Sequence, residues 1–126
     1  MRIIGLDHVQ VAIPLDGEEA ARTFYGVLLG LNEVPKPMEL ADRGGCWFAA
    51  GDTFLHLGVE QAFVPARKAH PAFRVADLDR ARQVLESAGV AVTPDTSLPH
   101  VLRLYVADPF GNRIELIQDG DLLVEH

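Results

Sequence analysis

The sequence predicts an α+β fold made of two βαβββ modules related by a pseudo-twofold axis, with eight strands forming a cup-shaped mixed sheet and the helices outside it. Three observations carry this. Short runs alternate apolar and polar residues with the period of a strand. Two longer stretches carry apolar stripes at helical spacing, and the whole order occurs twice in 126 residues. A half-domain of four strands and one helix leaves a sheet edge and a sheet face that a twin would cover.

The first module, about 3–61, opens with LDHVQVAI. Val9, Val11 and Ile13 share one face, while His8 and Gln10 share the other. Asp16 is placed to cap a helix with Glu19 three residues on, and Ala20, Ala21, Phe24, Val27 and Leu28 form a stripe ending at Gly30. NEVPK, GCWFAA and TFLHLGVE read as three strands separated by the Pro/Gly-rich PKPMELADRGG and the tight AGDT turn. The second module, about 66–118, repeats the order. AHPAFRVAD is a strand, and Asp77 caps a helix whose stripe of Leu78, Ala81, Val84, Leu85 and Ala88 closes at Gly89. GVAVTP, HVLRLYVAD and NRIELIQ complete it. Both modules are expected to belong to one domain spanning 1–126, because a chain of this length supports a single core.

Composition narrows the partners. The chain is 48% hydrophobic with a formal net charge of −7, so neither a nucleic-acid backbone nor an anionic membrane is expected as its main partner. A small molecule is. Cys46 is the single cysteine, so no intrachain disulfide is possible, and no basic neighbour in sequence marks it as an activated thiolate. The amino-terminal apolar run is broken by Asp7 and His8 too early for a signal sequence, and no stretch is long enough to span a bilayer. A cytoplasmic location is expected.

The chemistry concentrates on one sheet face. Glu115 sits among apolar residues in NRIELIQ, and a buried carboxylate needs a positive partner. His8 and His70 occupy corresponding places in the first strand of each module, as His56 and Glu115 do in the last. Their flanking residues alternate in the same sense, so all four project from the face opposite the helices. Three imidazoles and one carboxylate are a ligand set for a divalent metal such as Zn, Ni, Co, Fe or Mn. Gln10, Phe54, Arg74, Arg103 and Tyr105 share that parity and are candidate substrate-pocket residues, an Arg suiting a carboxylate or phosphate and Tyr105 a hydrogen bond to a ligand oxygen. Of Trp47 and Phe48, one is expected on each face. His100 and His126 lack this support and are expected in solvent.

LDHVQVAI, AARTFYGVLLGL, AHPAFRVADLD and RLYVADPFGNRIEL together resemble the vicinal oxygen chelate superfamily, which includes glyoxalase I, extradiol dioxygenases, fosfomycin-resistance proteins, methylmalonyl-CoA epimerase and bleomycin-resistance proteins. The resemblance covers roughly residues 3–118. It implies metal positions at His8, His56, His70 and Glu115, with His56 standing where many members carry a glutamate. His8, His70 and Glu115 would then be ligands and His56 a fourth ligand or a base. The implied function is a metal-dependent lyase, isomerase or dioxygenase acting on a small oxygenated metabolite or xenobiotic, with Glu115, His56 and Tyr105 as candidate catalytic groups. The alternative is a metal-free protein that sequesters a drug, as bleomycin-resistance proteins do. A homodimer is also implied.

Overall fold

A computed structural model describes residues 1–120 and divides the chain between Pro65 and Ala66 into two compact units. Each unit is a βαβββ module with its own four-stranded mixed sheet. His126 lies outside the described residues.

The first module contains β1 (His8–Ile13), α1 (Glu18–Ala21) running on into a π-helical segment (Arg22–Leu28), β2 (Asn32–Val34), β3 (Cys46–Ala50) and β4 (Thr53–Val59). Strand order is β1-β4-β3-β2, with β1 parallel to β4 and the other pairs antiparallel. Val11, Ile13, Phe48, Leu55 and Leu57 are buried with Ala21, Phe24 and Tyr25 of the helix. The sheet face expected to carry apolar residues does so.

The helix departs from expectation in two ways. Asp16 is not the cap: it takes a left-handed turn conformation at φ 63°, and Gly17 occupies the cap position without a side-chain cap bond. The segment after Ala21 is wound wider, as the Leu29 N–H to Phe24 carbonyl bond across five residues shows. Wider winding rotates the buried face, so Tyr25 is fully buried while Val27, expected in the stripe, is exposed. PKPMELADRGG includes a 3₁₀ turn, Met38–Arg43, and re-enters the sheet through Gly44 and Gly45. At Gly45, φ is 80° and an added Cβ would stand 2.0 Å from the Leu57 carbonyl oxygen, so only glycine fits.

The second module contains β5 (Ala72–Val75), α2 (Leu78–Ser87), β6 (Thr93–Asp95), β7 (Arg103–Ala107) and β8 (Arg113–Gln118). Its order is β5-β8-β7-β6, with β5 parallel to β8. Asp77 caps α2 as expected, accepting from the Arg80 N–H at 3.0 Å. Gly89 ends it at φ 80°, and the Val90 N–H is spent on the Leu85 carbonyl. That bond delays the next strand, so only Thr93 and Pro94 of GVAVTP pair, together with Asp95 beyond it, and Pro94 is tolerated because β6 is an edge. Ala88 is exposed, outside the stripe assigned to it.

The DPFGN turn between β7 and β8 is a hydrogen-bonded knot. Asp108 Oδ1 accepts from the Phe110 and Asn112 N–H groups, and Asn112 Nδ2 donates to Asp108 Oδ2 at 2.9 Å. Asn112 Oδ1 in turn accepts from the Ala66 N–H, and the Arg113 N–H donates to the Ala66 carbonyl. The turn therefore fixes both the phase of β8 and the start of the segment that leads to His70.

Candidate functional site

In the first module, β1 and β4 run side by side and place His8 beside Phe54 and Gln10 beside His56. Gln10 lies over Gly58, where an added Cβ would meet its Nε2 at 2.8 Å. Trp47 is directly opposite His56 across β3 and β4, on the same face. Phe48 takes the buried side, which answers the question the sequence left open.

The rings form a stack. The Trp47 and His56 centroids are 3.6 Å apart with planes 1° from parallel, and His8 covers the other side of His56 at 4.0 Å and 16°. His56 is thereby buried, and burial, then the neighbouring His8, lowers its pKa. The imidazole is neutral at neutral pH. His8 Nδ1 is 2.8 Å from Asp7 Oδ2. An ionised carboxylate only accepts, so Nδ1 of His8 carries a proton.

Imidazole lone pairs lie in the ring plane. Two near-parallel rings 4.0 Å apart cannot both aim a lone pair at one ion bound about 2.1 Å from each nitrogen. His8 and His56 therefore do not serve as joint ligands in this arrangement.

In the second module, Glu115 lies on β8, with Ala72 of β5 on one side and Tyr105 of β7 on the other. His70 precedes β5 rather than lying in it, because Pro71 cannot donate to a ladder. Its side chain nevertheless reaches the site. Nε2 is 2.9 Å from Glu115 Oε1, and Nδ1 is 2.8 Å from the Lys68 carbonyl. The carbonyl can only accept, so Nδ1 of His70 also carries the proton. A neutral ring would then press a bare lone pair against a carboxylate oxygen, unless a proton or a cation lies there.

That contact is the test of fit for a metal. At 2.9 Å the two atoms are at hydrogen-bonded ion-pair distance, and an imidazole nitrogen and a carboxylate oxygen are both donor types that a divalent ion takes. His8 and His70 each anchor Nδ1 to an oxygen, the arrangement that orients metal-binding histidines, and Nε2 of His70 faces Glu115. Within the second module the donor chemistry of His70 and Glu115 suits a divalent ion. Among the described residues, no three His, Cys, Asp or Glu side chains gather as a ready-made ion site, and the contacts are pairwise.

Arginine also compensates Glu115. Arg103 Nη1 lies 3.7 Å from Oε2, while its Nη2 reaches Asp95 Oδ2 at 3.0 Å and Ser97 Oγ at 3.1 Å. Tyr105 stands edge-on to His70, and burial, then the Glu115 charge, raises its pKa. Tyr105 stays a protonated donor. Arg113 is a residue that sequence reasoning passed over: its guanidinium carbon sits 3.8 Å above the Tyr105 ring. The signal was its shared parity with Glu115. Arg74 is exposed on the same face, Phe54 is half-exposed beside His8, and His100 is exposed. Cys46 is buried beneath the first sheet with its thiol pushed up to about 11, which fits a structural role.

Two βαβββ modules, each with a four-stranded mixed sheet, give the chain a glyoxalase-type fold. The family profile described as the Glyoxalase/Bleomycin resistance protein/Dioxygenase superfamily matches residues 5–116, and the chain belongs to that superfamily. A putative glyoxalase family protein from Bacillus anthracis is 52% identical over 95% of this chain and 98% of its own, with a TM-score of 0.92. TnmS3, an antibiotic binding protein from Streptomyces sp. CB03234, is 27% identical over 95% and 99% with a TM-score of 0.72. Lactoylglutathione lyase from Agrobacterium tumefaciens, 20% identical over 93% and 95%, shares the fold with a TM-score of 0.73. No curated protein sequence matches the chain. Among the described residues no helix is long and apolar enough to cross a membrane.

Proposed function

We propose that this chain is a divalent-metal-dependent enzyme of the glyoxalase type, a lyase, isomerase or dioxygenase acting on a small molecule with adjacent oxygens. His70 and Glu115 are two of its ligands, and the family resemblance implies His8 as a further one. The observation that carries this reading is the 2.9 Å approach of His70 Nε2 to Glu115 Oε1 with the opposite ring nitrogen tied to a carbonyl. The ion would act as a Lewis acid on the substrate's oxygens.

The chain's own groups do the rest. His56, neutral and clamped between Trp47 and His8, is the base that takes a proton from the substrate. Tyr105, kept protonated, donates to a substrate oxygen, while Arg103 holds the second oxygen of Glu115 so that Oε1 faces His70. Phe54 and Gln10 form walls. Exposed apolar residues at Ile3, Ile4 and Leu6 support a homodimer, working in the cytoplasm.

The test is turnover of α-dicarbonyl, epoxide and catechol substrates by protein loaded with Zn, Ni, Co, Fe or Mn, against chelated protein. Metal-dependent turnover that His70→Gln abolishes is expected. One observation favours a second reading: the flat Trp47 and His56 stack beside half-exposed Phe54 is a surface for planar aromatic rings, and TnmS3 binds an antibiotic. Tight drug binding without metal, and no turnover with any metal, would decide for it.

A further inference from the structure

We infer that Arg113 and Tyr105 form an anion subsite, and that the molecule bound there is a small organic acid held through its carboxylate. This names the substrate class of the proposed function and in that sense rests on it.

The guanidinium groups of this sheet face are not equivalent. Arg103 pairs through its terminal nitrogens with Asp95 and Ser97 and lies beside Glu115, although its buried Nε has no hydrogen-bond partner among the described residues. Among the described residues Arg113 makes no ion pair, although the chain holds 18 acidic and only 11 basic side chains besides histidine. A half-buried, unpaired cation in an acid-rich chain is an unused binding capacity. Its guanidinium sits over the Tyr105 ring at 3.8 Å, and such stacking restrains the group while leaving its in-plane N–H donors for a planar anion. A restrained group loses less entropy when a ligand arrives.

The geometry also gives a length. Arg113 and Glu115 point to the same side of β8 two residues apart, a spacing of about 7 Å. A molecule whose carboxylate engages Arg113 thus brings its oxygenated end to His70 and Glu115 if these groups are separated by about that distance. The two-pronged donor edge of a guanidinium meets both oxygens of a carboxylate through two parallel bonds.

The test is a titration of metal-free full-length protein with benzoate and with its neutral counterpart benzamide, followed by NMR of the arginine side-chain N–H groups. Using metal-free protein separates this inference from the metal reading, since the subsite does not depend on the ion. Expected are a saturable shift of the Arg113 resonance with benzoate, none with benzamide, and at least tenfold weaker binding in Arg113→Gln. Arg82→Gln, which alters an exposed helix arginine, should leave the affinity unchanged. Absence of saturable binding in the wild type up to millimolar benzoate would overturn the inference without relying on any variant to fold. So would equal responses to the two probes, or undiminished affinity in Arg113→Gln.

Discussion

The His56 imidazole lies flat on the Trp47 indole, 3.6 Å away and 1° from parallel, while His8 closes its other face. A ring held this way cannot share an ion with His8, so metal binding and the role of His56 should separate. His56→Phe keeps the stack and should keep metal affinity within about threefold, a cost under 1 kcal/mol, while turnover falls by about 100-fold, the typical contribution of a general base. Calorimetric metal titration and steady-state kinetics check the two halves. A loss of metal in this variant would return His56 to the ligand set.

Asn112 ties the turn before β8 to Ala66 and to Asp108. Asn112→Ala leaves the Ala66 N–H and an Asp108 oxygen without these partners, and should cost about 2–3 kcal/mol in urea unfolding. Faster hydrogen exchange should concentrate at residues 66–70 and 108–113, because this knot fixes both segments.

Arg103 and Glu115 are coupled. Arg103→Met removes one of the cations beside a nearly buried carboxylate and should destabilise the protein by about 3 kcal/mol. Adding Glu115→Gln should recover part of that loss, since the neutral amide no longer needs the guanidinium. A double-mutant cycle by chemical denaturation measures the coupling, and strict additivity would contradict it.

Burial raises the Cys46 thiol from 9.0 to about 11. The unfolded chain thus loses its proton first. The stabilising contribution is complete below pH 9 and is lost as pH rises from 9 towards 11. Wild-type stability should fall over that window relative to Cys46→Ala, as guanidinium denaturation at each pH would show. Alkylation of folded protein at pH 8 should be slow.

Gly45→Ala should be among the most damaging single changes, because its Cβ would overlap the Leu57 carbonyl oxygen at a positive φ. A loss of about 3 kcal/mol or more is expected from thermal unfolding.

The order of elements, the buried sheet faces and the parity of His8, His56, Glu115, Gln10 and Tyr105 were legible because strand alternation reports them directly. Three features were not. The wide winding after Ala21 turns Val27 outward and Tyr25 inward, and side-chain periodicity assumes a regular helix. Asp16 has the chemistry of a cap but is taken by a left-handed turn. Parity places His8 and His56 on one face, yet ring orientation decides whether they converge, and alternation carries no information about χ angles. Arg113 was visible by parity but looked like an ordinary surface cation until the Tyr105 ring was found beneath it.

His70 and Glu115 are proposed to hold a divalent ion. Elemental analysis of protein purified without chelator, wild type beside Glu115→Gln, tests it most directly. Close to one metal per chain in the wild type and little in the variant is the predicted result. A wild type that stays metal-free even after reconstitution, or a Glu115→Gln protein that retains full occupancy, would contradict it.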